Sequence, residues 1–167
     1  QLSRADRHKE SLHLDEFDLS ELTEMVAEEA QGLAESKAVT LTAEIEPGIL
    51  VKADQTLMMR IWLNLLTNAV KYGRQQGQIW LTLKSDGKNA VGTVRDDGIG
   101  ISAAELPKIW KRFYRVNTAR SSGDDSGTGL GLAMVKWMVE SHGGTVSAVS
   151  TLGAGSTFSF TIPLRPS

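Results

Sequence analysis

The stretch from Asp54 to Gly73 carries the strongest fold signal in this chain, because its apolar residues recur at helical spacing. On a period of 3.6 residues they form one continuous stripe that can pack into a core. Asp54 suits an N-cap and Gly73 suits the end of a helix, so the sequence predicts a helix between them. The apolar stripe consists of Leu57, Met58, Ile61, Trp62, Leu65, Leu66, Ala69 and Val70.

The same predicted helix also carries a polar stripe. Arg60, Asn64 and Asn68 lie four residues apart, and Lys71 and Tyr72 follow one turn later, so they share one side of the helix. Asparagine is only a middling helix former, so two of them one turn apart call for an explanation. Their amide oxygens suit a Mg²⁺ ion that phosphates already hold. An ordinary solvated polar face is the alternative at this point.

The composition restricts the classes of protein to consider. A chain of 167 residues that is 41% hydrophobic fits one globular domain with a core. A net charge of −2 does not indicate nucleic acid or an anionic membrane surface as a partner, and the lack of cysteine excludes disulfides and thiolate chemistry. No signal peptide and no apolar run of membrane-spanning length is visible. Because the chain begins with Gln1, we expect it to be a fragment.

Helical and strand patterns are mixed along the rest of the chain. Residues 1–16 are charged and weakly periodic, which predicts a helix end followed by a linker, with residues 17–167 as the folded domain. Asp18 and Glu21 match a capping box. The helix that they open would have an apolar face of Leu19, Leu22, Met25, Val26, Ala30 and Leu33. Strand patterns follow at residues 39–45, 49–51, 78–84, 90–95, 145–150 and 156–163. We therefore predict an α+β fold with helices packed on one face of a mixed, mainly antiparallel sheet.

Asp96-Asp97-Gly98-Ile99-Gly100-Ile101 is the first of two glycine-containing clusters, and it directly follows a predicted strand. A carboxylate at a strand end can accept a hydrogen bond from an exocyclic amine, while glycine backbone lies against a flat ring. A simple turn is the alternative, because Asp-Gly is a common turn pair.

Gly127-Thr128-Gly129-Leu130-Gly131-Leu132 is the second cluster, and it opens a predicted helix that runs to about His142. Backbone N–H groups at such a helix start can bind phosphate, although a plain glycine-rich connection is also possible. No Gly-Lys-Ser/Thr follows, which rules out a Walker loop. A dinucleotide fingerprint would need a strand directly before the glycines. Residues 116–127 instead precede them, and their composition is typical of a mobile loop.

Taken in order, these motifs resemble the ATP-binding catalytic domain of two-component sensor histidine kinases, within the wider group of gyrase, Hsp90 and MutL-like ATPases. NLLTNAVKYG is similar to the N box, DDGIGI to the first glycine box, IWKRFYR to the F box and GTGLGL to the second glycine box. The final segment HGGTVSAVSTLGAGSTFSFTIP is similar to the closing strands. The resemblance covers residues 17–163 and implies the Bergerat ATP-binding fold, a two-layer α/β sandwich.

The resemblance implies where ATP and Mg²⁺ would bind. Asn68, with Asn64 beside it, would coordinate the Mg²⁺ that bridges the phosphates, and Lys71 and Arg115 would face those phosphates. Asp96 would accept a hydrogen bond from the adenine amino group. Tyr72 would lie over the nucleotide, Gly98 and Gly100 would leave room for the ring, and residues 116–127 would form a lid. The other nucleotide-binding residues implied are Ile101, Gly127, Thr128, Gly129, Leu130, Gly131 and Leu132.

One position separates the branches of this group. The gyrase and Hsp90 enzymes carry a catalytic Glu one helical turn before the metal-binding Asn, and this chain has Asn64 there. An amide cannot accept a proton from water, so hydrolysis should be poor and phosphoryl transfer favoured. The resemblance implies a protein-histidine kinase whose partners are its own dimerisation domain, in a homodimer, and a response regulator, with no nucleic acid. It also implies a cytoplasmic domain of an inner-membrane sensor.

No histidine of this chain matches the family's phosphoacceptor pattern, which continues with an acidic residue, a basic residue and then proline. His8 and His13 have other neighbours, and His142 lies at a predicted helix end, where a structural role is expected. The fragment should therefore not phosphorylate itself. Two alternatives remain, an anti-sigma-type serine kinase and a non-catalytic nucleotide-binding module. Residues 1–12 resemble the last turns of a dimerisation hairpin, which the serine kinases usually lack.

Overall fold

A computed structural model of the chain describes residues 12–111 and 131–166. Within these residues the helices are α1 (Leu19–Ser36), α2 (Gln55–Tyr72) and α3 (Gly131–Ser141), with a short 3-10 helix at Leu106–Lys108. The strands are β1 (Asp15–Asp18), β2 (Thr40–Ile45), β3 (Leu50–Ala53), β4 (Gln78–Ser85), β5 (Asn89–Asp96), β6 (Val146–Thr151) and β7 (Gly155–Pro163).

Five of the strands form one mixed sheet in the order β2-β4-β5-β7-β6. β2 runs parallel to β4, and the other neighbouring pairs are antiparallel. The side chains of β4 and β5 alternate between a buried face and a partly exposed face, as expected for a sheet covered on one side. This architecture confirms the predicted mixed, mainly antiparallel sheet.

The three described helices cover the buried face of the sheet. α2 lies in the middle and contacts both α1 and α3. Its Trp62 and Leu65 are fully buried, and they share one core with Leu81, Phe158 and other inward-facing strand residues. The predicted two-layer α/β sandwich is therefore confirmed.

β1 and β3 form a separate antiparallel pair in which Asp15 lies opposite Ala53 and Asp18 opposite Leu50. The sequence pattern predicted no strand at residues 15 and 16, and the structure shows that this part of the prediction was wrong. The segment Asp-Glu-Phe-Asp has little strand propensity of its own. It becomes a strand because β3 offers a partner edge far away in sequence.

Met25 was wrongly placed on the apolar face of α1, since the residue is 66% exposed. It lies one residue from the buried Val26, which on a helix is a rotation of about 100°. Ala27 and Ala34 are buried instead. The capping prediction is correct for the first turn, because the Asp18 carboxylate accepts a hydrogen bond from Glu21 N at 3.1 Å.

No helix within residues 12–111 and 131–166 has both the length and the apolar character that crossing a membrane requires.

Candidate functional site

α2 positions the polar residues that the sequence analysis singled out. Its N-terminus is capped by Asp54, whose carboxylate accepts a hydrogen bond from Leu57 N at 3.1 Å, and Gly73 ends it. Six of the eight residues of the predicted apolar stripe are buried, and Leu57 and Val70 are half-buried; the buried six are Met58, Ile61, Trp62, Leu65, Leu66 and Ala69. Because these side chains anchor one side of the helix, the half-buried Asn64 and Asn68 are held on the other.

The two asparagines have different surroundings. Asn64 Nδ2 donates a long hydrogen bond of 3.5 Å to the carbonyl oxygen of Gly131, the first residue of α3. The side chain of Asn68 makes no hydrogen bond to any residue within 12–111 and 131–166. The structure therefore places the start of α3 beside Asn64.

Asp96, the last residue of β5, is a buried carboxylate with 5% exposure. Its Oδ1 accepts a hydrogen bond from Gly98 N at 2.8 Å. Burial raises the pKa of Asp96, and the neighbouring charge of Asp97 acts in the same direction, whereas backbone hydrogen bonds from Gly98 and Ser156 lower it in part. The environment of the carboxylate thus leaves its charge incompletely compensated.

The first glycine box packs tightly between two distant parts of the chain. A Cβ on Gly98 would collide with the carbonyl oxygen of Tyr72, and a Cβ on Gly100 would collide with that of Thr151. Gly100 also has a φ of +72°, which disfavours any other residue. Backbone packing alone therefore requires glycine at both positions, and their predicted role toward an adenine ring stays a prediction.

The C-terminal end of α2 meets this glycine box. Ile99 N donates to Tyr72 O at 3.2 Å, which joins the box to the last residue of the helix. Lys71 Nζ lies 5.3 Å from the centroid of the Tyr72 ring. From Asn64 to Tyr72 the helix advances eight residues, or about 12 Å. Asn68 lies midway between Asn64, which contacts Gly131, and Tyr72, which contacts the glycine box.

The remaining predicted residues divide into described and undescribed positions. Ile101 is buried, and its backbone N–H donates to Ser150 Oγ at 2.7 Å, while Leu132 is half-buried on α3. In the F box, Ile109 is buried and Trp110 meets Phe158 edge-on, with ring centroids 6.1 Å apart. Outside the described residues lie Arg115, Gly127, Thr128, Gly129, Leu130, the predicted lid at 116–127 and His8.

His142 has the structural role that was expected of it. Its Nε2 lies 3.0 Å from Asp54 N, which can only donate, so Nε2 accepts this hydrogen bond. The ring proton is therefore on Nδ1, which donates to Met138 O at 2.8 Å. The imidazole ties the C-terminal end of α3 to the N-cap of α2. His13 reaches the same cap, because its backbone N–H donates to Asp54 Oδ2 at 3.1 Å.

Arg74, the second residue after α2, lies in none of the motifs that predicted a functional role. Its Nε donates to Asp97 O at 2.9 Å, and its Nη2 donates to Gly153 O at 3.1 Å. Both acceptors are backbone carbonyls in other segments, so no local pattern around Arg74 could have revealed these contacts.

Comparison with known proteins identifies the family of this arrangement. Residues 53–166 match the family of Histidine kinase-, DNA gyrase B-, and HSP90-like ATPases. The chain belongs to this family. The matched range includes α2, the first glycine box, α3 and the closing strands, and the predicted Bergerat fold is thereby confirmed.

Individual relatives point to one branch of these ATPases. The chain is 37% identical to the sensor histidine kinase TmoS of Ectopseudomonas mendocina over 98% of its own length, and 35% identical to the sensor histidine kinase YclK of Bacillus subtilis over 87%. It spans only 17% of TmoS and 31% of YclK. The chain is thus similar to one part of these longer proteins.

Solved structures support the same assignment. The catalytic domain of the histidine kinase ThkA superposes with a TM-score of 0.79 at 25% identity, and the match covers 93% of this chain and 98% of that one. Full-length ShkA in complex with AMPPNP has a TM-score of 0.80 at 30% identity, covering 94% of this chain and 32% of that one. The fold of this chain is thus similar to that of histidine kinase catalytic domains within the ATPase family.

Proposed function

We propose that this domain binds Mg²⁺-ATP along α2 and, within a longer protein, transfers the γ-phosphoryl group to a histidine on a dimerisation domain. The observation that carries the proposal is the buried Asp96 carboxylate at the end of β5. It lies next to Gly98, which packs on the end of the helix that bears Asn64 and Asn68. The carboxylate that we propose for the base and the amide that we propose for the metal thus lie on adjoining segments.

Asp96 would select the base. A buried carboxylate with few compensating charges binds a hydrogen-bond donor strongly, and the adenine amino group is such a donor. Tyr72 would cover the base from the end of α2, and the backbone of Gly98 and Gly100 would line the ring. Ile101 and Leu132 would complete the apolar surroundings.

Asn68 and Asn64 would hold Mg²⁺ at the phosphate end. The residues present fit this ion, because the Asn68 amide has no partner among the described residues and amide oxygen is a hard ligand. Within those residues no group of three or more His, Cys, Asp or Glu could hold a metal, so phosphates would share its coordination. Bound there, Mg²⁺ would neutralise phosphate charge. Lys71 would add a positive charge, and so would Arg115.

The second glycine box would line the phosphate chain. Gly131 already lies beside Asn64, and the residues that precede it would bring their backbone N–H groups to the phosphates: Gly127, Thr128, Gly129 and Leu130. Residues 116–127 would close over the nucleotide as a lid.

Asn64 supports transfer rather than hydrolysis. The amide can orient a neighbour but cannot take a proton from water, so a general base for hydrolysis is missing at this position. The γ-phosphoryl group would instead pass to a histidine that another domain presents in line with it.

The proposed partners follow from the relatives, which are sensor histidine kinases several times longer than this chain. They are a dimerisation and phosphoacceptor domain in a homodimer, and a response regulator that receives the phosphoryl group. Residues 1–16 would link to the dimerisation domain and residues 17–167 would form the catalytic domain. We place the domain on the cytoplasmic side of an inner-membrane sensor.

Replacement of Asp96 tests the base contact. Asp96→Asn keeps an acceptor oxygen but removes the charge and adds a competing donor. A hydrogen bond to a charged group contributes about 1.5–3 kcal/mol, so the affinity for ADP and ATP should fall about tenfold to a hundredfold. Calorimetry with both nucleotides in the presence of Mg²⁺ measures this effect.

Asp97→Asn provides the matched control. Asp97 Oδ1 accepts a hydrogen bond from Gln78 N at 2.9 Å, which an amide oxygen can also do, so this variant should bind nucleotide nearly as the wild type does. Equal affinities of wild type and Asp96→Asn would refute the base contact. A loss confined to ATP would instead place Asp96 near the γ-phosphate.

A further inference from the structure

Arg74 connects three segments that are far apart in sequence. It follows the C-terminal end of α2, and its guanidinium donates to Asp97 O at 2.9 Å and to Gly153 O at 3.1 Å. Asp97 belongs to the first glycine box, and Gly153 lies in the turn between β6 and β7. One side chain therefore bridges the helix end, the box and a turn near the end of the chain.

Backbone contacts between the same segments surround this bridge. Gly153 N donates to Ile99 O at 2.7 Å, and Ile99 N in turn donates to Tyr72 O at 3.2 Å. Gly100 packs directly on Thr151 O. The box thus lies between the end of α2 and the turn of residues 151–154, and Arg74 holds both sides of it.

Contacts with neighbouring segments hold the glycine box in place. Gly98 and Gly100 carry no side chains, and Gly100 has a positive φ, so their conformation depends on neighbouring segments. The orientation of the Asp96 side chain depends on the backbone of the glycine box, because Gly98 N is one of the donors to its carboxylate. Asp97 directly follows Asp96, so a group that fixes Asp97 O also restrains the direction in which the Asp96 carboxylate points.

We propose that Arg74 is a positioning residue for base recognition, which sets the orientation of the Asp96 carboxylate by clamping the first glycine box to the turn at residues 151–154. The proposal rests on the proposed adenine contact of Asp96. Arginine suits the task because its planar guanidinium presents several donors in fixed, diverging directions. A lysine ammonium is a compact charge on a flexible stem and would serve two separated carbonyl oxygens less well.

The binding test compares Arg74→Gln and Arg74→Lys with Arg165→Gln, a control that removes an exposed arginine elsewhere. Arg165 pairs with Glu16 at 3.5 Å, away from the glycine box. We expect ADP affinity to fall about threefold to tenfold in Arg74→Gln, as expected for the loss of net hydrogen bonds, and less in Arg74→Lys. The ratio of ADP affinity to GDP affinity should decrease as well, because a misoriented Asp96 carboxylate discriminates less between adenine and guanine. Arg165→Gln should bind both nucleotides as the wild type does.

Amide hydrogen exchange in the nucleotide-free protein tests the clamp without any ligand. In Arg74→Gln the amides of Ile99 and Gly153 should exchange faster, while those of Gly92 and Val94 inside β5 should keep their wild-type rates. If Arg74→Gln does not fold, Arg74→Lys serves for both measurements. Wild-type nucleotide selectivity together with wild-type exchange at Ile99 and Gly153 would overturn the proposal.

The same set of measurements separates this proposal from the proposed function. If the wild type binds ADP and Asp96→Asn weakens it, the base contact stands, and an unchanged Arg74→Gln then refutes the positioning role alone. If Asp96→Asn binds ADP as tightly as the wild type, the base contact fails, and the positioning role for Arg74 fails with it. Faster amide exchange at Ile99 and Gly153 in Arg74→Gln would then show that Arg74 stabilises the fold but has no role in base recognition.

Discussion

Asn68 is the residue on which the metal assignment depends. Its amide faces away from the apolar side of α2 and has no partner within the described residues, so Asn68→Ala should leave the fold intact. We expect it to weaken Mg²⁺-ATP binding on the order of tenfold, comparable to losing one interaction with a charged group. Asn68→Asp should instead alter the metal dependence, because it places a carboxylate at the ion.

Calorimetry with and without Mg²⁺ measures the effect of Asn68→Ala. Thr67→Ala is a suitable control, since Thr67 lies on the same helix but its hydroxyl donates to Leu63 O at 2.8 Å. Unchanged affinity of Asn68→Ala for Mg²⁺-ATP would exclude Asn68 as a ligand.

Asp96 should make stability depend on pH in the nucleotide-free protein. Its pKa in the folded state is raised from the usual 3.8, so the folded protein binds this proton more tightly than the unfolded chain does. Folding therefore becomes less favourable as pH rises from the unfolded pKa through the folded one, and the loss is complete above the folded pKa. Asp96→Asn cannot ionise and escapes this loss.

The stability difference between Asp96→Asn and wild type should accordingly shift in favour of the variant as pH rises from about 3 to 7. Urea unfolding at several pH values without nucleotide measures both proteins. A difference that stays constant across this range would mean that burial of Asp96 does not perturb its ionisation.

β5 and α2 pack closely because Gly92 of β5 has no side chain. A Cβ on Gly92 of β5 would lie 2.5 Å from Phe160 Cζ and 2.8 Å from Trp62 Cη2. Trp62 and Phe160 themselves meet edge-on, with ring centroids 4.9 Å apart. The bulky Trp62 in α2 is therefore accommodated because the facing strand carries glycine.

A pair of Gly-to-Ala substitutions tests this fit. Gly92→Ala should lower the free energy of unfolding by about 1–3 kcal/mol through overpacking of the core. Gly32→Ala, at an exposed site of α1 with no atom within 4 Å of the new Cβ, should raise the free energy of unfolding by about 0.5–1 kcal/mol. Urea unfolding measures both, and equal effects of the two substitutions would contradict this account of the core.

The domain as a whole should bind Mg²⁺-ATP without labelling itself. Both ring nitrogens of His142 are engaged, by Asp54 N and Met138 O, so this histidine is not a free nucleophile. Neither His8 nor His13 lies in an acceptor pattern, and Asn64 cannot activate water. Holding a nucleophile in line can contribute as much as about 7–11 kcal/mol to lowering the barrier, and within residues 12–111 and 131–166 no such group is identified.

Incubation with γ-labelled ATP measures this outcome. The isolated chain should acquire no acid-labile label, while a matching dimerisation hairpin added in trans at high concentration should be labelled slowly on its histidine. Label on the isolated chain would place a nucleophile within it.

Local patterns in the amino-acid sequence were sufficient to predict α2, its caps and its two stripes, along with the order of the four boxes. These features could be predicted because helical periodicity and capping depend on residues within a few positions of one another. Most strands were predicted for the same reason, from alternation and turn residues. Asp96 and Asn68 could be predicted as the candidate groups that bind adenine and Mg²⁺, because each lies in a short, recognisable motif.

The residues that support those motifs could be identified only from the packed fold. β1 forms because β3 lies beside it, and the reason for glycine at positions 98 and 100 is backbone packing against Tyr72 and Thr151. The bond of Arg74 to Gly153 joins residues 79 positions apart, and that of Asp54 to His142 joins residues 88 positions apart. Local propensity carries no information about such partners, because their proximity exists only once the helices have packed on the sheet.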